Sequence, residues 1–316
     1  MTRFIVCLVT LAINLAHVFA AVAIDLKDGP FDGTPFSPNV PIKWGVTTSL
    51  TENLAVYRTV TERVPQVVVS NAMAIGSFKS RNLIRSQDKN MIEFRDAPKK
   101  EDLTRFLRMS VNRGWVRYND NRAEQRPTHG VPTFEEADEL TLRYFMLLGC
   151  NTNQIAPKPR PHRESTFETY DKPGGRLIAK GVSRRYVCLF RQLDGIPITD
   201  DYFSVDFGND AKPISLEMNW SPLQPVQRYR TATRDEILQF LRSGRAFYPV
   251  WPEQPQVSGA KTITVRSIQC LYKRGLGADQ QELLRPYASL GMEADIGGKP
   301  VKFGLHCPII ADEKTR

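Results

Sequence analysis

Three histidines follow the first 23 residues of the chain, His129, His162 and His306, and among them and the cysteines only His306 and Cys307 are close in sequence. Adjacent residues on a strand point to opposite faces, so that pair cannot hold one metal ion from regular geometry. Carboxylates gather at Asp194, Asp200, Asp201 and Asp206. Asp200 and Asp201, near Asp194, could bind a cation, with a solvated turn as the favoured alternative; separately, two carboxylates of this region about 5 to 10 Å apart in a deep cleft would support glycosidase-like hydrolysis. The chain carries no G-x-S-x-G elbow, phosphate-binding loop, complete G-x-G-x-x-G, C-x-x-C or H-E-x-x-H. These residues point away from an enzyme, and no cofactor or metal is expected, with a carboxylate-based hydrolase as the alternative.

The remaining cysteines direct attention to the compartment. Residues 1–23 begin with Arg3, continue through an apolar stretch from Phe4 to about Ala16, and end in Ala20, Ala21 and Ala23. That is the pattern of an export signal, with cleavage expected after Ala23 or, as second choice, after Ala20. Asn14 and His17 interrupt the apolar run short of the ~20 residues a membrane span needs, so no membrane anchor is expected in the mature chain. Cleavage removes Cys7 and leaves Cys150, Cys188, Cys270 and Cys307. In a secreted or periplasmic protein an even set of four makes each a disulfide candidate, with three pairings open; four buried free thiols are the alternative.

Charge narrows the partner classes. The 316 residues hold 43 Lys and Arg against 34 Asp and Glu, a formal charge of +9, which loss of Arg3 lowers by one to +8. Between Ile155 and Arg185 the basic residues are Lys158, Arg160, Arg163, Lys172, Arg176, Lys180, Arg184 and Arg185, eight against the three acidic residues Glu164, Glu168 and Asp171. Pro157, Pro159, Pro161, Pro173, Gly174 and Gly175 make this segment read as a long basic loop, a candidate for steering an anionic surface or partner. Nucleic acid is not expected, because export removes the usual target and few aromatic residues interleave with the charges.

The elements that must position these groups are legible from punctuation and period. Residues 24–41, rich in Pro and Gly, read as an extended leader. An N-terminal α+β unit is expected over 42–125. It comprises a strand at Leu54–Val60, a short helix from Pro65 to Gly76, strands at Met91–Phe94 and Trp115–Tyr118, and a helix from about Asp96 with Leu103, Phe106, Leu107 and Val111 on one face. Two further units follow, at 130–228 and 229–316. Thr133 with Glu136, and Thr233 with Glu236, form T-x-x-E capping boxes ahead of helices that stop at Gly149 and Gly244. Each helix precedes a run of three strands, Tyr186–Gln192, Tyr202–Phe207 and Ile214–Trp220 in one case, Ile263–Lys273, Leu283–Ala294 and Val301–Ile310 in the other. The fold class expected is therefore α+β, a helix packed on an antiparallel sheet and duplicated as an internal repeat, after a smaller N-terminal unit. Phe247, Tyr248, Pro249, Trp251 and Pro252 read as an apolar plug behind the second helix.

Leu193-Asp194-Gly195-Ile196-Pro197-Ile198, then Tyr202 to Gly208, then Lys212 to Leu216 and Trp220, resemble the strand-turn-strand pattern of propeptide-type domains, the PepSY and fungalysin/thermolysin-propeptide group. The resemblance covers about 133–220 and is echoed over 233–310. It implies an inhibitor, folding helper or ligand-sensing module outside the cytoplasm, and it transfers no catalytic residue. A helix on one face of a sheet leaves the other face open to solvent or a partner. The combined expectation is a non-catalytic extracytoplasmic binding protein that inhibits or regulates another secreted or envelope protein. An envelope structural protein that holds polyanions through the 155–185 segment is a further alternative.

Overall fold

A computed structural model of the chain describes residues 33–84, 88–96, 105–120, 128–158, 160–171, 173–249, 255–276 and 282–311. The expected export signal, Lys172, Leu103, Trp251 and Pro252 lie outside them. In order, the elements are β1 (Ile42–Trp44), β2 (Asn53–Thr59), α1 (Gln66–Ile75), β3 (Leu83–Ile84), β4 (Met91–Arg95), β5 (Arg105–Ser110), β6 (Trp115–Asp120), α2 (Phe134–Leu147), β7 (His162–Tyr170), β8 (Leu177–Leu193), β9 (Ile196–Phe207), β10 (Pro213–Asn219), β11 (Leu223–Arg230), α3 (Arg234–Arg242), β12 (Thr262–Leu276), β13 (Glu282–Ile296) and β14 (Lys299–Pro308).

This corrects the expected fold class. Strand accounts for 51% and helix for 17% of the described residues, and the fourteen strands join in one large mixed sheet rather than in duplicated helix-on-sheet units. Two differences account for most of the change. The expected helix from Asp96 is the strand β5, because Leu107 and Met109 are buried while Phe106, Arg108 and Ser110 alternate with them, a period of two that outweighs the helical spacing. The expected basic loop is the hairpin β7–β8, paired from His162↔Val187 to Tyr170↔Leu177. Its strands are mostly exposed on both faces towards the tip, so no buried face imposes a hydrophobic alternation on them.

The sheet has two halves. One runs β3-β4-β5-β6-β10-β9-β8-β7 with antiparallel neighbours throughout. The other is built on β12 and β13. One edge of β13 is shared by β2 and β14, and one edge of β12 by β1 and, at Tyr272↔Ile198, by β9. β2 also pairs with β11. Segment 42–125 therefore supplies β1 and β2 to one half and β3 to β6 to the other, and makes no separate sheet. The leader is not outside the core either, since Phe36 and Val40 are buried and Phe36 packs against Phe303 with ring centroids 6.3 Å apart.

Both T-x-x-E boxes are present. Thr133 Oγ1 accepts the Glu136 N–H at 3.2 Å, and Glu136 Oε2 accepts the Thr133 N–H at 2.8 Å. The Thr233 and Glu236 bonds match them at 3.3 and 2.7 Å. Each box satisfies backbone donors that a helix start would otherwise leave orphaned. Helix α2 packs on β8 and β9 and touches α1, whereas α3 packs on β14. Two separate cores result. One gathers Val68, Phe145, Leu189, Phe203, Val205, Leu216 and Trp220 beneath α1 and α2; the other gathers Val56, Ile237, Leu241, Val265, Tyr272, Leu290 and Leu305 beneath α3.

The halves meet at buried charges. Asp201 is fully buried, and its Oδ2 accepts from Arg191 Nη1 at 2.8 Å while its Oδ1 accepts from Arg274 Nε at 2.8 Å. Arg191 also donates to Gln154 Oε1 and to the Ser221 carbonyl, and Arg274 to Thr59 Oγ1 and Glu282. Removing the carboxylate leaves the buried Arg191 without its carboxylate partner and Arg274 with Glu282 alone. Asp201→Asn is expected to lower the unfolding free energy by about 3–5 kcal/mol, while Asp200→Asn, on the exposed neighbour, changes it by less than about 0.5 kcal/mol. Urea denaturation of both variants checks this, and an Asp201→Asn protein as stable as the parent would contradict it.

Candidate binding face

In the first half-sheet α1 and α2 cover one face, and among the described residues no helix packs on the other, on which Cys188, Ser204 and Glu93 are nevertheless buried. Val187, Leu189, Phe203, Val205, Phe207, Leu216, Met218, Val116, Tyr118, Leu107, Met109 and Phe94 point into the core beneath the helices. Their alternates point away, and the registers arrange them in rows across six strands. One row is Phe190, Tyr202, Asn219 and Trp115; the next is Cys188, Ser204, Glu217, Arg117, Arg108 and Glu93; the third is Tyr186, Asp206, Ser215, Asn119, Phe106 and Arg95. At about 4.8 Å per strand the platform is about 24 Å wide.

Polar contacts fix the side chains on this face. Burial pushes Glu93 up, but the guanidiniums of Arg95 and Arg108, at 2.7 and 2.8 Å, outweigh it and hold the carboxyl below the usual range. Ser215 Oγ donates to Asp206 at 2.9 Å, and Asn219 donates to the Asp200 carbonyl at 2.7 Å. Partial burial, reinforced by Glu217, pushes the Tyr202 phenol up to about 12. Burial likewise raises Tyr186, which hydrogen-bonds with Cys188. Both phenols stay neutral at physiological pH, hydrogen-bonded to Glu217 and to Cys188 respectively, and present their apolar ring faces. Arg163 lies over the Tyr186 ring at 5.8 Å, and Arg108 over Phe106 at 5.3 Å. Phe190 is 40% exposed, and Arg117 is exposed.

Four of the basic residues in the segment, Lys158, Arg160, Lys180 and Arg185, meet carboxylates. Lys158 and Arg160 converge on Asp138 of α2 at 3.1 and 2.5 Å. Lys180 pairs with Glu168 across the hairpin at 2.8 Å, and Arg185 with Glu164 while also covering the Phe134 ring. Arg163 turns to the platform, Arg184 sits mid-hairpin opposite Ser165, and Arg176 lies beside the tip, where its N–H is accepted by Asp171. Residues read as one field thus serve several local pairs.

Nor are the carboxylates brought together. Asp194 is in the β8–β9 turn and accepts from Tyr57, Asp200 is exposed, Asp201 is sealed in the seam, and Asp206 faces the platform. Among the described residues no group of three or more His, Cys, Asp or Glu is placed to hold a metal ion. His129 approaches Asp210 at 3.2 Å and His162 stacks on Phe134. His306 is buried against Phe247, and burial together with Lys273 lowers its pKa to about 4. No helix among the described residues is long and apolar enough to cross a membrane.

The four disulfide candidates are free thiols, a correction with a geometric reason. Cys270 and Cys307 both pair with Ala288, one from each side of β13, so two strand spacings, about 9.6 Å, separate them. A disulfide needs Cα atoms within about 7 Å. Cys150 sits beside Met218, Sγ to Sδ 3.5 Å, and Cys188 is on the platform side of β8. Burial raises all four thiol pKa values, those of Cys150, Cys270 and Cys307 to about 12.

Sequence reasoning passed over the platform residues. Their signal lies in the outward alternates of strands that are themselves legible, on a face expected only in general terms to be open to solvent or a partner. No protein-family profile matches the chain, and no curated protein matches it. Among solved structures the chain is similar to an uncharacterised protein from Eubacterium rectale ATCC 33656, with a TM-score of 0.43 and 10% identity over 84% of this chain and 86% of that one.

Alkylation without reductant tests the cysteine arrangement. Unfolded residues 24–316 are expected to take up four alkyl groups, and the native protein to react much more slowly, because buried neutral thiols are poor nucleophiles. An uptake of two or none on unfolding would restore the disulfides.

Proposed function

We propose that the protein is a non-catalytic, extracytoplasmic binding protein that regulates another protein by docking it on the open face of the first half-sheet. The export-type N-terminus supports the compartment, and one observation carries the docking surface. Phe190, Tyr202, Trp115, Tyr186, Arg117 and Arg163 stand together on the side that the helices leave uncovered. Tyr, Trp, Phe and Arg are the residue types enriched where protein partners bind, and they dominate affinity when clustered centrally. A standard interface buries about 800 Å² per partner, which a platform about 24 Å wide matches in its long dimension. The neutral phenols, amides and hydroxyls along the rows supply hydrogen bonds without a buried net charge.

The hairpin is the weaker candidate for the anionic-surface role. Its Lys180 and Arg185 already hold carboxylates, and exposed pairs of this kind add little long-range field once screened.

Affinity capture from the native extracellular or periplasmic fraction tests the docking face. Arg117→Glu and Phe190→Ala, both at exposed positions, are each expected to weaken recovery of the partner at least about tenfold, equivalent to about 1.4 kcal/mol. Lys180→Glu is expected to leave recovery unchanged. Equal recovery by all three variants, or hydrolytic turnover by the pure protein, would overturn the proposal.

A further inference from the structure

On the opposite, helix-covered side of the same half-sheet lies a cavity of about 220 Å³, bounded by the C-terminal end of α2, the β5–β6 turn and the end of β10. A cavity of ~150 Å³ is enough to take up benzene, so this one has room for a single ring with a small substituent. Its walls divide by chemistry. Met218, Trp220 and the Cys150 thiol form the apolar part, and the thiol stays neutral because burial pushes it up to about 12. Arg191 and Arg113 carry the positive charge of the polar part, which Glu62, Ser110, Asn112, Asn151 and Gln154 also line. Arg191 is buried and rigid, 5.1 Å over the Trp220 ring and bonded to Gln154 and Asp201. Arg113 stands at the mouth, where Nη2 donates to the Gly149 carbonyl at 2.6 Å and Nη1 meets Glu62 at 3.2 Å. The positive fields of both reach the Cys150 sulfur.

The two arginines are held differently. Arg191 is locked to a fully buried carboxylate and has nothing to exchange. Arg113 and Glu62 are 32% and 48% exposed, and a pair so hydrated is weak and replaceable. A carboxylate entering the cavity can take the place of Glu62 on the planar guanidinium, which accepts carboxylates in a two-point geometry. Its apolar body then lies against thioether, thiol and indole, and the buried Arg191 adds a favourable field without having to move.

We propose that this cavity binds small carboxylic acids with a compact aromatic or branched apolar body, with Arg113 as the exchangeable anchor. The site shares Trp115 with the docking face, but its anchor Arg113 is not on that face, so either can fail alone.

Benzoate, with its uncharged isostere benzamide, is the probe, followed by calorimetry and by the indole N–H shift of Trp220. Benzoate is expected to bind saturably and at least about tenfold tighter than benzamide, the increment of one charge-assisted contact. Arg113→Gln is expected to reduce benzoate to the level of benzamide while leaving benzamide unchanged. Glu62→Gln, which removes the competing carboxylate, is expected to strengthen benzoate about two- to fivefold. That gain is a change a purely structural role for the pair would not produce. No saturation by about 10 mM benzoate, equal affinity for the two probes, or a Glu62→Gln variant that binds benzoate more weakly would each overturn the proposal.

Discussion

Asp201, fully buried between two arginines from different halves of the sheet, is the constraint on which the rest of the structure depends. A lone carboxylate or guanidinium cannot be taken out of water without neutralisation or a partner. Arg191 arrives on β8 and Arg274 on β12, so the charges balance only when both half-sheets are in register at this point. Each half has its own apolar core, and backbone pairing between β9 and β12 is confined to Tyr272↔Ile198. Leu193, Ile196 and Ile198 of β8 and β9 reach into the second core, and the ion triad, with Gln154, Ser221, Thr59 and Glu282 completing its hydrogen bonds, adds a directional constraint at the same seam.

That register also decides what remains exposed. With α1 and α2 committed to one face of the first half-sheet, the alternation of β-strand side chains carries aromatic and guanidinium groups to the other. The platform is thus a by-product of strand period plus helix placement, and it is ordered before any partner arrives. Glu93 between two arginines, Ser215 on Asp206 and Asn219 on a carbonyl all hold their side chains in place. Preorganisation of this kind lowers the ordering cost that association must otherwise meet.

Much of the local structure is legible in the sequence because it is set by short-range physics. Both capping boxes, the helix between Pro65 and Gly76, and the tight turns at Asp194-Gly195 and Gly297-Gly298 lie where residue type requires them, and both turns have the positive φ angles that such dipeptides favour. What was not legible depends on distant partners. β1 and β2 leave the strands that follow them to pair with β12, β11 and β13. The outer part of the hairpin β7–β8 has no buried face and is crossed by ion pairs. Four cysteines in an even count suggested bridges, yet strand spacing keeps Cys270 and Cys307 one strand too far apart. Residues 133–220 form α2 and β7 to β10, and the outward residues of β8 to β10 are nine of the sixteen in the platform rows.

A photo-activated benzophenone side chain placed singly at position 190 on the platform or at position 67 on α1, both exposed, gives the most direct measurement of which face binds. Irradiated in the native extracytoplasmic fraction, the protein carrying the probe at 190 should form one discrete covalent adduct with another protein, and the protein carrying it at 67 should form none. An adduct from position 67 with none from position 190 would place the partner on the helix side and contradict the account.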